Sequence, residues 1–111
     1  MKVLDPEFQH KDERRTLTQL FTSDIKQVNH YEANQGSILG DHFHKETVEY
    51  FFIVSGVVKY NGEKLLSKND LIAVYPEENH TLECLTRVEL LSFLTKPFTK
   101  ENPDLWKNEP S

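Results

Sequence analysis

Between positions 42 and 49 the chain reads His42-Phe43-His44-Lys45-Glu46-Thr47-Val48-Glu49. On an extended strand, residues two apart point to the same side, so His42 and His44 project together. Lys45-Glu46-Thr47 is polar enough to turn the chain. Glu49 then opens a further strand, where Glu49, Phe51 and Ile53 share a face. A carboxylate leading an apolar face needs a partner, because burying it unpaired is costly. Later in the chain His80, Leu82 and Cys84 share a face of another strand-like run. Three imidazoles and one carboxylate make a ligand set suited to a divalent metal: Fe, Mn, Ni, Cu or Zn. Without a metal, His42 and His44 suit acid and base work near neutral pH. His10 and His30 fall outside this pattern and read as surface or packing residues. Glu46 belongs to a solvated turn, and Cys84 reads as a small buried hydrophobe rather than a nucleophile.

These side chains have to be placed by strands. Short runs rich in β-branched and aromatic residues dominate: 16–22, 25–31, 38–44, 48–55, 57–60, 64–66, 71–75, 80–84 and 88–95. Asn61-Gly62, between two of them, is the strongest hairpin signal, since both positions tolerate the positive φ of a type I′ turn. Gly56 interrupts one long run, and Ser67-Lys68-Asn69-Asp70 is a polar turn. Many short strands at this spacing predict an all-β sandwich or small barrel. Residues 1–15, ending in the charged run His10 to Arg15, read as a solvated lead-in to a core at about 16–95. Residues 96–111, with Pro97, Pro103 and Pro110, read as a tail over the body. The strand at 48–55 is apolar on both faces, with Val48, Tyr50, Phe52 and Val54 on the second. A solvent-facing side should alternate to polar. Either the tail around Leu105-Trp106 or a twofold partner must cover it, and a homodimer is expected because cyclic dimers are the commonest oligomers.

Composition bounds the remaining classes. The 111 residues, 13.0 kDa in all, fit a single domain. With 37% hydrophobic and 28% charged residues, no stretch reaches the ~20 apolar residues of a membrane span. A net charge of −5 speaks against nucleic acid as a partner. One cysteine excludes an internal disulfide, and the opening Met-Lys-Val-Leu-Asp-Pro-Glu lacks an apolar signal region. A cytoplasmic protein acting on a small molecule is the expectation.

The spacing Gly36-x5-His42-x-His44-x4-Glu49-x6-Gly56 resembles the first signature motif of the cupin superfamily at all five positions. The second cupin motif, G-x5-P-x-G-x2-H-x3-N, resembles Asn69 through Cys84. There Asn69, Tyr75, Glu77 and Cys84 replace the first Gly, the Pro, the second Gly and the Asn, and His80 falls at the motif's histidine. The resemblance implies a single antiparallel β-barrel or jelly roll with a metal held by His42, His44, Glu49 and His80. Asp12-Glu13-Arg14 and Gly40-Asp41-His42-Phe43-His44-Lys45 are similar to segments of the sugar-nucleotide cupins, the dTDP-sugar 3,4-ketoisomerases and 3,5-epimerases. In the ketoisomerases a His-Ala-His-Lys run resembles His42 to Lys45, with the two histidines as acid and base. In the epimerases the position matching His42 is the catalytic base. The chain departs from that group in having Arg15 rather than Gly after Arg14, and Leu39 rather than Arg before Gly40.

The resemblance therefore implies a keto-sugar nucleotide isomerase or epimerase, with His42 and His44 as catalytic residues. Two other classes fit the same ligand set: a metal-dependent dioxygenase of a small thiol or diketone, and a non-enzymatic small-molecule-binding cupin.

Overall fold

The computed structural model describes residues 1–107 and contains eleven strands. In chain order they are β1 (Lys2–Val3), β2 (Phe8–Lys11), β3 (Thr16–Gln19), β4 (Gln27–Ala33), β5 (Ile38–His42), β6 (Glu49–Ser55), β7 (Val58–Tyr60), β8 (Lys64–Leu66), β9 (Leu71–Val74), β10 (His80–Cys84) and β11 (Val88–Leu94). The pairings are antiparallel and form a five-stranded sheet, β1-β9-β6-β11-β4, a four-stranded sheet, β5-β10-β7-β8, and a separate β2-β3 hairpin. Among the described residues, no helix is long and apolar enough to cross a membrane.

Period-2 alternation sets which side chains meet between the sheets. In β6, Glu49, Phe51 and Ile53 are buried while their neighbours are half-buried, and β10 and β11 repeat the pattern. The apolar core combines Phe51, Ile53, Val88 and Leu90 with Val58, Leu82 and Cys84 of the facing sheet. Polar residues that keep the inward phase, Glu49, His80 and Ser92, are carried into the interior by the same alternation.

The structure adds detail at three points. Among the described residues no strand pairing joins the two sheets, so the body is an open jelly-roll sandwich with β4 and β5 as free edges rather than a closed barrel. The solvated lead-in carries strands: β1 pairs with β9 through Lys2↔Ala73, and β2 pairs with β3 through Phe8↔Gln19. The second face of β6 is not met by Leu105-Trp106. Phe21 stacks on Tyr50 there, with ring centroids 4.3 Å apart, and meets Phe93 edge-on at 5.2 Å. Trp106 instead exchanges backbone hydrogen bonds with Phe43, at 2.8 and 3.0 Å.

The turns follow their residues. Asn61 and Gly62 have φ of 49° and 71°, and Glu63 N–H donates to the Tyr60 carbonyl at 3.0 Å, closing the β7–β8 hairpin. Asn69 and Glu77, which stand where the second cupin motif has glycine, take φ of 73° and 72°. They thus keep the glycine conformation without glycine. For a non-Gly residue that region costs about 1–2 kcal/mol, least for Asn. Exposed Glu77 is accordingly strained, and we expect Glu77→Gly to raise stability by about 0.5–1 kcal/mol after the added freedom of the unfolded chain is subtracted. Asn69→Gly should change little. Urea unfolding midpoints of the two variants check both statements.

Candidate metal centre

The four predicted residues come together. His42 ends β5, His44 follows in the connecting loop, Glu49 opens β6 and His80 opens β10. One ligand atom from each lies within 4.8 Å of the others. Ring centroids are 4.4 Å apart for His42 and His80, 5.1 Å for His42 and His44, and 5.2 Å for His44 and His80. His44, Glu49 and His80 are buried, and His42 is half-buried.

An irregularity in the β5–β10 ladder sets this up. His80 pairs with His42, but Thr81 pairs with Gly40, so the ladder gains a residue on β5 and bulges at Asp41. Gly40 and Asp41 both have positive φ, 89° and 65°. A Cβ on Gly40 would lie 2.6 Å from the His80 carbonyl oxygen and 3.3 Å from the His80 ring. The close backbone approach that seats His80 therefore requires glycine.

Hydrogen bonds define the remaining geometry. His44 Nδ1 lies 2.8 Å from the Asp104 carbonyl, an acceptor, so Nδ1 carries a proton and donates. His44 Nε2 then faces Glu49 Oε1 at 3.0 Å. The other carboxylate oxygen accepts from the Ser92 hydroxyl at 2.6 Å. His80 Nε2 stands 3.4 Å from Glu49 Oε1 without forming a hydrogen bond, and both ring nitrogens of this residue, 1% exposed, lack a partner. A buried polar atom without a partner calls for an explanation. A cation held tetrahedrally at about 2.1 Å from each ligand sets the ligand atoms about 3.4 Å apart, so the cluster, already within 4.8 Å, would close on it by side-chain movement. The donor set and the unpartnered His80 both fit a divalent metal.

Without a metal, the charges arrange themselves as a pair. Burial alone would push the Glu49 carboxyl up, but His44, His80 and Ser92 overrule it and hold it down at about 2. Burial likewise opposes charge on His44, yet Glu49 and the Asp104 carbonyl raise it above the ordinary histidine value. His42 goes the other way, to about 4, through burial and then the neighbouring His80 and His44. These shifts favour charge on His44 and Glu49 and disfavour it on His42.

A cavity of about 740 Å³ opens onto these residues, with Gln27, Asn29 and Tyr31 of β4 on one wall and Pro103 and Leu105 on another. A second ligand-like set, His30, Glu32 and Glu89, is a surface feature held by a 2.9 Å His30–Glu89 contact. Ser92 and Asp104 were not among the predicted residues. Ser92 could have been found, as a polar residue on the inward phase between Leu90 and Leu94. No local pattern marks Asp104.

No family model matches the chain. The UDP-2-acetamido-2,6-beta-L-arabino-hexul-4-ose reductase of Pseudomonas aeruginosa is 22% identical over 111 residues, covering 87% of this chain. The chain spans about a third of that relative's length, 30%. Among solved structures, QdtA, a sugar 3,4-ketoisomerase from Thermoanaerobacterium thermosaccharolyticum in complex with TDP, superposes with a TM-score of 0.71 at 20% identity. That match covers 93% of this chain and 85% of QdtA. The rmlC epimerase of Mycobacterium tuberculosis gives a TM-score of 0.69 at 18% identity, over 91% and 70% of the two chains. The chain has the all-β, cupin-type jelly-roll fold of these two structures.

Proposed function

We propose that this chain is a metal-binding cupin that isomerises or epimerises a keto-sugar nucleotide. The observation that carries the reading is the convergence of His42, His44, Glu49 and His80 on one cavity large enough for a sugar. One nitrogen cannot hold a cation and take a proton at once. His44, Glu49 and His80, the buried three, would hold the metal, and half-buried His42 is the base. His42 removes the proton from the carbon next to the ketone, leaving an enolate. Protonation of the enolate on its opposite face, by an acid other than His42, inverts the carbon, and His42 later gives its proton to solvent. Enolisation toward the neighbouring hydroxyl-bearing carbon moves the ketone instead. A bound metal supplies Lewis-acid polarisation of the carbonyl. QdtA is named a sugar 3,4-ketoisomerase, and the relative from Pseudomonas aeruginosa is named for a UDP-linked 4-ulose, which supports this substrate class.

One observation favours a second, metal-free version: His44 Nε2 and Glu49 Oε1 already pair at 3.0 Å. Elemental analysis after reloading with Fe, Mn, Ni, Cu or Zn separates the two. A stoichiometric ion is expected, and substoichiometric metal throughout would leave the histidines as acid and base alone. For the reaction, a panel of dTDP- and UDP-4-keto-sugars is incubated in heavy water and followed by NMR. Deuterium should enter the carbon next to the ketone and should not do so in His42→Asn. No uptake with any sugar would overturn the proposal. Metal-dependent oxygen consumption with a thiol or diketone would then indicate the dioxygenase class, and silence in both assays a binding module.

We also propose a homodimer. Among the described residues the β2–β3 hairpin pairs with no other strand, every residue of β2 is exposed, and Phe8 and Leu17 leave about half of their surface open. A lone two-stranded hairpin is marginally stable in water. Light scattering at micromolar concentration should give twice the chain mass, and a monomer mass would refute this.

A further inference from the structure

We propose that Asp104 is a positioning residue, through which a C-terminal strap sets the orientation and protonation pattern of His44 and the span of chain between His44 and Glu49. The Asp104 backbone carbonyl accepts the His44 Nδ1–H at 2.8 Å. Its carboxylate collects the loop that follows. Oδ1 accepts from Lys45 N–H at 2.9 Å, and Oδ2 accepts from Glu46 N–H at 3.0 Å, Thr47 N–H at 2.9 Å and the Thr47 hydroxyl at 2.8 Å. Trp106 Nε1–H adds a bond to Oδ1 at 3.1 Å. Three successive N–H groups aimed at one carboxylate form an anion-holding nest.

The placement of that nest is what gives it a role beyond closing a loop. Lys45, Glu46 and Thr47 are three of the four residues between His44 and Glu49, whose side chains meet at 3.0 Å, so the carboxylate governs their separation. With Nδ1–H committed to the Asp104 carbonyl, Nε2 is the nitrogen turned to the site. The strap is itself pinned. Phe43 and Trp106 exchange two backbone bonds, and Lys45 Nζ sits 3.8 Å from the centre of the Trp106 ring. Burial opposes the charge on Asp104, but the Lys45, Thr47, Glu46 and Trp106 donors outweigh it and keep the carboxyl well below its usual range. Pro103 and Leu105 meanwhile line the cavity, so one short segment both walls the site and aims a site histidine.

The affinity part of this inference rests on the metal reading; the protonation part does not. The test uses full-length protein carrying ¹⁵N-histidine, with and without Zn(II), as wild type, Asp104→Ala and Asp104→Asn. Wild type should show a His44 Nδ1–H that exchanges slowly with water in both states. Asp104→Ala keeps the backbone carbonyl but loses the carboxylate that ties the strap to the Lys45–Thr47 loop, so the Nδ1–H should exchange at least about tenfold faster, the His80 resonances should stay in place, and Zn affinity should fall about 10–100-fold, the range for residues behind a ligand. Asp104→Asn, the same shape with an amide nitrogen facing donors, should fall between the two. An Asp104→Ala protein whose Nδ1–H exchanges at the wild-type rate and that binds Zn within twofold of wild type would overturn the proposal. If that variant does not fold, Asp104→Asn indistinguishable from wild type in both readouts overturns it equally. Should wild type bind no Zn, the metal reading fails, and the Nδ1–H comparison on metal-free protein still decides the role of the strap.

Discussion

On the proposed metal reading, Glu49→Gln should abolish metal binding while leaving the fold intact. The carboxamide keeps the shape, and its oxygen can still accept the Ser92 hydroxyl that now reaches Oε2 at 2.6 Å. Its nitrogen, however, puts donors where a cation needs an anionic ligand. Zn affinity should drop by more than about 100-fold, beyond the range seen for residues that only support a ligand. Stability should change by no more than about 1 kcal/mol, since a neutral His44 can accept from the amide. Glu49→Ala is the contrasting case. It removes one partner of a buried pair whose members are 3.0 Å apart and should cost about 3 kcal/mol or more. Competition against a chromophoric chelator reads the first effect, and urea unfolding reads the second. A Glu49→Gln protein that holds Zn as tightly as wild type would remove Glu49 from the ligand set.

Gly40→Ala is the second large effect, and the chain supplies its own control. Gly36 and Gly40 have the same φ, +89°, yet an added Cβ meets nothing within 4 Å at Gly36 and lies 2.6 Å from the His80 carbonyl oxygen at Gly40. Gly36→Ala should therefore cost only the left-handed backbone, about 1–2 kcal/mol. Gly40→Ala should add an overpacking penalty of about 1–3 kcal/mol and push His80 out of register with His42. Urea midpoints for both variants, with Zn affinity beside them, isolate the contribution of that contact. Equal losses in the two would mean that Gly40 does not seat His80.

The strands were legible because their side chains alternate. The predicted 80–84 run matches β10, and 48–55 and 88–95 match β6 and β11 to within a residue at either end. The four site residues were legible because their spacing coincides with a known motif, even where glycine is missing. Asn69 and Glu77 reproduce the positive φ that glycine would supply, so His80 arrives at the site despite the altered residues. What could not be read depends on distant pairing. β1 is two exposed residues whose partner, β9, lies some seventy positions away, and nothing local marks Lys2-Val3 as a strand. The open side of the sandwich depends on how far β4 and β5 stand apart, a property of the packed sheets and not of either strand. Asp104 was invisible for a similar reason. Its partners His44 to Thr47 lie 57 to 60 positions earlier, between chain segments with no shared pattern.

That separation has a consequence for how the site is born. Synthesis delivers the N-terminal part first, so the pair His42 and His44 leaves the ribosome sixty residues before the carbonyl that aims His44. During that interval the two imidazoles are flexible donors, and such donors rank metals by the Irving–Williams order alone, favouring copper over zinc, nickel, iron and manganese. Discrimination by geometry becomes available only once His80 has docked and the last strap has closed. On the proposed metal reading, the ion found in the purified protein is expected to depend on which ions the nascent chain meets as well as on the finished cage.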